Sequence, residues 1–457
     1  MVSSGSEDDL RDAVFVVDAN GLPALPGSSI AGVLRHAFPE NRARELFGYQ
    51  DQNGGESSTV EISWGQVHDR NNLPTPFRCD SESNLTGDPV LSCLRAGVKR
   101  DHARINPRGV VDGRGKFDEL AVPAGARFTF ELLVHEEGAT ILDSLLARLD
   151  SGVLRFGGKS RRGLGTFATV DSWKDEFDLS KSEDRSRFRN LPRDLSRPIP
   201  DGVLRFRGPS ALKPQGEDRW VKATVTLNPE DFWFFGGGEP VLDEHLRGDR
   251  AYEALPVTEA RIVWKAGTGE VVESQHSIPA SGIKGALRHR LAFHGRRLEG
   301  TFVEVPESPK AWLEIREALA EWDGVLWWFG NENNSETASF PRTAGRVFIS
   351  DGWIEQPRSG GLDHVSLDRF TQGPMDGALF DERPLYGGSI ALEVVIDTHF
   401  GESKPPRHSI AAFEKALDDL CKGKLAIGAG AARGHGFCRG KVAWSDDGSW
   451  IKKVANE

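Results

Sequence analysis

Cysteine, methionine and tyrosine are scarce in this chain of 457 residues, with 4, 2 and 3 of each. Cys79, Cys93, Cys421 and Cys438 form no C-x-x-C pair and have no histidine at zinc-ligand spacing. That excludes a disulfide scaffold and a zinc module and leaves buried free thiols. No apolar run approaches the roughly 18 residues a membrane span requires. The N-terminal stretch Met1 to Asp9 is polar and acidic, without a charged-then-apolar leader, so the expected location is cytoplasmic with no membrane partner. Positive charge is in deficit, with 57 Lys and Arg against 68 Asp and Glu and a net charge of −11. Such a balance argues against a protein that coats nucleic acid without specificity, because phosphate contacts need cations. A P-loop is also absent: Gly158-Lys159-Ser160 has the right end, but Val153 stands where the first glycine is needed. No Ser-His-Asp set can be assembled from spacing.

What is present is a globular composition, 38% hydrophobic and 27% charged. The length suits about two or three domains. Charge is uneven. Arg95, Lys99, Arg100, Arg104, Arg108, Arg114 and Lys116 crowd one stretch, opposed there by Asp101 and Asp112. The plain reading of such a run is a solvated loop.

The chain also repeats itself. Pro26-Gly27-Ser28-Ser29-Ile30-Ala31-Gly32-Val33-Leu34-Arg35-His36 matches Pro279-Ala280-Ser281-Gly282-Ile283-Lys284-Gly285-Ala286-Leu287-Arg288-His289 at Pro, Ser, Ile, Gly, Leu, Arg and His. Leu46-Phe47-Gly48 and Trp328-Phe329-Gly330 follow in the same order. Next come Gly157-Gly158-Lys159-Ser160-Arg161-Arg162-Gly163-Leu164-Gly165 and Gly428-Ala429-Gly430-Ala431-Ala432-Arg433-Gly434-His435-Gly436, which share Arg-Gly-x-Gly. Three ordered landmarks occurring twice imply two homologous domains. Each first landmark predicts a turn entering a helix, with Ser28 or Ser29, and Ser281, placed as N-caps. A glycine inside each helix, Gly32 and Gly285, costs about 1 kcal/mol against alanine. It points either to close approach of a strand or RNA backbone, or to packing.

Alternating or β-branched stretches predict strands at 14–17, 59–64, 127–134, 221–227, 346–349 and 390–396. Helical periodicity appears at 140–149 and 410–420. The class is α+β. Residues 173–216, rich in Pro, Ser, Asp and Arg, are expected to be a linker, within which Gly202 to Gly208 has the pattern of a strand.

Pro-Gly-Ser-Ser-Ile-x-Gly-x-Leu-Arg, then Leu-Phe-Gly, then the glycine loop ending in Arg-Gly-x-Gly, resemble the repeat-associated mysterious protein (RAMP) superfamily. Within it the likeness is to backbone subunits of type III CRISPR complexes. Val98 to Pro107 and Val365 to Gly373 are similar to the Asp-Arg-x-Thr segment opening that family's thumb hairpin, and Asp376 to Phe380 continues the second. Two such units in one chain resemble the double backbone subunit of type III-D systems. The resemblance implies two tandem ferredoxin-like (RRM-like) domains, 1–172 and 217–457 around the linker 173–216, with β-hairpin thumb insertions and Gly-rich loops. It further implies guide crRNA and target RNA as partners, together with other subunits of a CRISPR effector complex. The target would be cut by an essential Asp with Mg2+ or another divalent metal. That Asp falls on Asp12, both as catalytic residue and as metal ligand, with Asp18 following and Asp8 and Asp9 as rivals. In the second unit, Phe235-Gly236-Gly237-Gly238 resembles the family's glycine turn. Asp243 and Asp249 are the acids there, at non-matching spacing, so the second unit is the one expected not to cut. The first unit lacks the family's opening strand and its glycine turn.

Backbone N–H groups in glycine loops can approach phosphates, with neighbouring cations neutralising charge. RNA contacts are therefore expected from Gly158, Lys159, Arg161 and Arg162, and from Arg433 beside His435 and Arg439. The repeated helices add Ser28, Ser29, Arg35, Ser281, Lys284 and Arg288, and the thumbs add Lys99, Arg100, Arg104 and Arg369. Phe370 and Met375 are suited to wedge between bases, with packing inside the hairpin as the plain alternative. His36 and His289 leave two further functions open. One is a guide-RNA-processing endonuclease with histidine as base. The other is an RNA scaffold that does not cut.

Overall fold

A computed structural model describes residues 13–52, 54–79, 82–105, 111–135, 139–192, 194–197, 206–207, 219–236, 252–301, 322–331, 343–399 and 404–451. In the first unit, Gly27–His36 (α1) and Glu40–Phe47 (α2) precede Val60–Ile62 (β1) and Gln66–Val67 (β2). Pro89–Ala96 (α3) leads into a long hairpin, Val98–Ile105 (β3) and Val111–Ala121 (β4). Phe128–Thr129 (β5) and Leu132–Val134 (β6) return antiparallel to β2 and β1. Ala139–Asp150 (α4) follows. Local chemistry sets such boundaries. At α3, Asp88 accepts from the N–H groups of Val90 and Leu91 at 2.8 and 3.0 Å, Pro89 holds the first position, and Gly97 leaves at φ 68°.

The connector is more ordered than its composition predicts. Trp173–Lys174 (β7) pairs antiparallel with Phe206–Arg207 (β8), and Ser182–Arg189 (α5) lies between them. Of the strand expected from Gly202 to Gly208, only Phe206 and Arg207 fall within the described residues.

The second unit opens with Trp220–Pro229 (β9) and a hairpin, Thr258–Lys265 (β10) and Thr268–Ile278 (β11). Ala280–Glu299 (α6), Asp323–Phe329 (α7) and Val347–Ile349 (β12) follow. A second long hairpin, Leu362–Leu367 (β13) and Pro374–Glu382 (β14), precedes Ile390–Asp397 (β15), Ser409–Cys421 (α8) and Cys438–Trp444 (β16). The strands pair antiparallel in the order β12-β15-β9-β16. With one helix after the first strand and one before the last, this is the ferredoxin-like arrangement. In the first unit, β5 and β6 pair only with β2 and β1, and the described residues hold no counterpart of β9. The strand expected at 14–17 is an extended stretch with an isolated bridge from Val17 to Pro23.

The serine caps expected on the repeated helices are not formed, and the close approach expected at their glycines is not made by a strand. Pro26 and Pro279 hold the N-cap positions at φ −58° and −62°, without a side-chain cap, so Ser28, Ser29 and Ser281 are first-turn residues. A Cβ at Gly32 or Gly285 would meet no atom within 4 Å, so no strand presses on either. The second landmark does need its glycine. Gly48 and Gly330 both end a helix at positive φ, 68° and 89°, where a Cβ would lie 2.4 Å from the Glu56 carbonyl oxygen and 2.6 Å from the Gly345 nitrogen.

Side chains alternate along strands, and the second sheet buries one face fully and, at its β12 and β15 side, part of the other. Val347, Ile349, Val394 and Ile396 join the core beneath α6 and α8, with Ile283, Leu287, Phe413 and Leu417. Phe348 and Val395 point the other way, into the core of the first unit, among Leu34, Leu46, Leu145, Leu154 and Phe156. Trp220 packs on the same cluster and meets Phe348 edge to face at 5.7 Å. Ion pairs ring the seam, Arg155 to Glu393 at 2.8 Å and Arg219 to Asp397 at 2.7 Å. The two repeats therefore share a core.

Phe348→Ala should cost about 3–5 kcal/mol, the usual range for emptying a buried aromatic site. Because that ring serves both units, urea unfolding followed by hydrogen exchange should show protection falling in both. Loss confined to the second unit would contradict a shared core.

Candidate nucleic-acid interface

The two glycine loops have the same backbone. Positive φ occurs at Gly157, Lys159, Gly163 and Gly165, and at the matched Gly428, Gly430, Gly434 and Gly436. Each loop is closed by its own chain, Phe156 N–H donating to Gly165 at 2.9 Å and Ile427 N–H to Gly436 at 3.0 Å. A Cβ on Gly165 or Gly436 would fall 2.3 or 2.1 Å from a backbone oxygen of the loop's other arm. At these two positions glycine is required by the fold before any phosphate is considered. Lys159 takes φ 54°, a region that costs a residue with a Cβ roughly 1–2 kcal/mol.

A buried carboxylate ties each loop to the base of a long hairpin. In the first unit Glu119 of β4 meets His102 Nε2 at 3.0 Å and pairs with Lys159 of the loop. In the second, Glu382 of β14 meets His364 at 2.9 Å, and His435 and Arg433 of the loop at 2.7 Å each. The histidine of each hairpin stacks on a phenylalanine across the ladder, His102 on Phe117 at 4.9 Å and His364 on Phe380 at 4.8 Å. The loop cation lies over the same ring, Lys159 at 5.4 Å and Arg433 at 5.5 Å. Burial alone would raise the pKa of Glu119, but the hydrogen bonds from His102 and Lys159 outweigh it and hold the group at about 2. Glu382 is likewise lowered against its burial, by His435, Arg433 and His364.

The hairpin registers correct the sequence pairing of the thumbs. Asp101-His102 lies opposite Asp118-Phe117, and Asp363-His364 lies opposite Asp381-Phe380. The equivalent of Asp101-His102 is thus Asp363-His364, not Asp368-Arg369. The signal was present as Asp-His followed by Phe-Asp-Glu, once in each half. Asp368 has a different task. Its Oδ1 accepts from the N–H groups of Phe370 and Thr371 at 2.9 and 2.7 Å and from the Thr371 hydroxyl at 3.0 Å. This closes the tip and turns Arg369 and Phe370 outward, with Phe370 90% exposed. Val365, Leu367, Met375 and Leu379 are exposed on the same hairpin.

The remaining predicted contacts divide into an inner and an outer group. Arg100 is buried between Glu259 at 2.7 Å and Asp351 at 2.8 Å. Arg161 donates to the Gly345 carbonyl and lies over Phe348 at 4.6 Å. Arg35 donates to Gly48 at 2.6 Å, and Ser281 Oγ is 3.4 Å from His102 Nδ1. Lys284 and Arg162 lie over Phe329 and Phe117 at 5.8 Å, while Ser29 and Arg288 are half-buried on their helices. Ser28, Lys99, Arg104, Gly158, Arg369 and Phe370 are exposed. His36 belongs to the seam: Arg219 donates to its carbonyl oxygen at 3.0 Å and approaches Nε2 at 3.4 Å. Burial and that guanidinium lower its pKa.

Asp8, Asp9, Asp12, Asp243 and Asp249 lie outside the described residues. Asp18 is described and forms a turn, accepting from Asn20 N–H at 2.8 Å and Leu22 N–H at 3.0 Å. Among the described residues no group of three or more His, Cys, Asp or Glu side chains is placed to hold a metal. The expected Mg2+ rests on Asp12.

A family model described as the RAMP superfamily matches residues 1–168 and 229–439. No curated protein matches the chain. Among solved structures, a chain titled "Type IV-B CRISPR Complex" is similar at 14% identity and a TM-score of 0.30, covering 49% of this chain and 90% of that one.

Glu119 is held at about 2 against an ordinary 4.5. Its ionised form therefore stabilises the fold fully above about pH 4.5, and that contribution is lost as pH falls toward 2. The loss amounts to at most about 3 kcal/mol. Glu119→Gln should be less stable at neutral pH and should flatten this part of the stability profile in thermal denaturation. An unchanged acid limb would show that the carboxylate charge is not what holds loop and hairpin together.

Proposed function

The chain belongs to the RAMP superfamily, and on that premise we propose that it is an RNA-binding backbone subunit of a type III CRISPR effector complex, of the III-D double-unit kind. It would hold guide crRNA, admit a complementary target RNA and stack against other subunits of the complex. The observation that carries the reading is the repeated thumb. Two long hairpins, one per unit, are each fixed at the base by a buried carboxylate, and the described tip presents Phe370 almost fully to solvent. An exposed apolar row on a rigid hairpin is an interaction surface rather than a core. Apolar side chains inserted between bases are a known way of unstacking a duplex. The outer group, Lys99 at the base of the first hairpin, Arg104 along its first strand and Arg369 at the second tip, supplies cations on the hairpins, so a chain of net charge −11 need only be locally positive. Sequence discrimination would come from pairing between guide and target rather than from these side chains. Cutting of the target belongs to the same proposal and rests on Asp12 with a divalent metal, the second unit being the non-cutting one.

Reconstitution with guide RNA and neighbouring subunits tests both parts. Phe370→Ala should weaken binding of guide–target duplex by about tenfold, as expected for loss of roughly 1–3 kcal/mol of stacking. With Mg2+ present, Asp12→Ala should remove one cleavage product while guide binding stays intact. Full binding by the Phe370 variant would reject the wedge. Persistence of every product with Asp12→Ala would move the chain to the non-cutting scaffold reading.

A further inference from the structure

The first long hairpin is fastened to the second unit as well as to its own. Arg100 of β3 is buried, and its guanidinium reaches Glu259 of β10 at 2.7 Å and Asp351, just after β12, at 2.8 Å. Each acid has a second task. Glu259 accepts from the Ser277 hydroxyl at 3.1 Å, and Asp351 accepts from the Ala280 N–H at 2.8 Å, where α6 begins. Further along β3, His102 Nδ1 lies 3.4 Å from Ser281 Oγ, and His289 of α6 is hydrogen-bonded to the backbone of Ile105. The β10–β11 pair also grips the chain on either side of the hairpin. On the way in, Leu91 and Leu94 of α3 pack with Ile262. On the way out, Ile262 N–H donates to the Ala124 carbonyl and Trp264 Nε1 to the Gly125 carbonyl, both at 2.8 Å.

The second hairpin lacks the ionic part of this brace. Its ladder matches the first at Asp363-His364 and Asp381-Phe380, yet Leu362 stands opposite Glu382 where Arg100 stands opposite Glu119. Its root is tied within its own unit, by Arg383 N–H to the Ala254 carbonyl at 3.0 Å and by Glu253 N–H to Asp381 Oδ1 at 2.7 Å. The ladder therefore forms without an arginine at this position. What the arginine adds is direction. A buried charge must keep its partners, and the planar guanidinium fork meets carboxylates in a fixed geometry. Swinging the first hairpin away would part Arg100 from both acids and leave all of these charges uncompensated away from water.

We propose that Arg100 is a positioning residue: with Glu259 and Asp351 it holds the first hairpin at one angle to the second unit, so that the separation of the two hairpins is set by the protein before RNA arrives. Its meaning for RNA rests on the reading proposed above. Two hairpins entering one duplex at a set separation would distort it at a set interval, whatever its sequence.

The first measurement needs no RNA. Nitroxide labels on unnatural amino acids replace Lys116 and Leu379, exposed residues opposite Ala103 and Val365 in the two matched ladders. In the otherwise unaltered full chain, their distance distribution should be as narrow as that of a control pair within the second unit, at Leu379 and the exposed Lys415 of α8. A clearly broader one would overturn the proposal without any change to the brace. Arg100→Leu alone would leave two acids unpaired, so Arg100→Leu, Glu259→Gln and Asp351→Asn are combined. The amide oxygens can still accept from Ser277 and Ala280. This triple variant should keep the wild-type thermal midpoint, broaden the 116–379 distribution about twofold and leave the control pair unchanged. An unchanged 116–379 width would overturn the proposal, as would equal broadening of both pairs, which is general loosening. With guide and target RNA bound, 2-aminopurine at successive target positions should brighten at one set separation in the wild type. In the triple variant the signal at the first hairpin should spread to neighbouring positions while that at the second stays. Positions unmoved in the variant would overturn the role of Arg100 in setting the interval. No brightening in the wild type would remove the RNA reading, and the distances alone would then decide whether Arg100 positions the hairpin.

Discussion

Contact between the second sheet and the core of the first unit is the constraint on which the rest depends. A four-stranded sheet with two helices on one side ordinarily leaves its other side to solvent or to a ligand. Here Phe348, Val395 and Trp220, at one end of that side, complete the core of the first unit. The tandem repeat is therefore not two beads on a string. The first glycine loop is pressed onto the second unit, with Arg161 over Phe348 and Gly163 so close to Asp351 that a Cβ would lie 2.0 Å from its carboxylate. Both glycine loops and the bases of both hairpins are thereby held in one frame.

Within that frame the same electrostatic problem is solved twice. A carboxylate taken out of water is costly unless it is paired and hydrogen-bonded. Glu119 and Glu382 are both buried and both ionised, and each collects a histidine from its own hairpin and a cation from the glycine loop. The partners are not placed identically. Lys159 does in the first unit what Arg433 and His435 do in the second, and the position of Lys159 is held by Gly430 there. What is kept is the charge balance and the ring beneath it, which together set the hairpin against the loop. Cations read from the sequence as phosphate contacts are partly spent on this, while Lys99, Arg104 and Arg369 stay exposed.

The extent to which this was legible depended on the range of the interaction. The repeat, the α+β class, both helices before the glycine loops and most strands follow from short-range pattern, and each has its place in the structure. The serine caps did not hold, because a proline ring already sets the entry to α1 and α6. The thumb register was displaced, because Asp368 and Thr371 make a local turn that resembles the ladder residues in sequence but not in pairing. The Asp-His and Phe-Asp-Glu pairs were visible in both halves. Their meaning was not, since they meet only when β3 lies on β4 and β13 on β14.

The sequence by itself determined that two related units exist, where their helices, glycine turns and hairpins fall, and which residues carry the family likeness. These depend on contacts between near neighbours and on backbone angles that glycine and proline restrict locally. Tertiary structure alone decided that the units share a core, that Arg100, Arg161 and His36 belong to the seam, and that Glu119 and Glu382 fasten loops to thumbs. Those outcomes join residues far apart in the chain, up to 238 positions for Arg155 and Glu393. At such separation the fold, rather than any spacing in the sequence, determines which charge meets which.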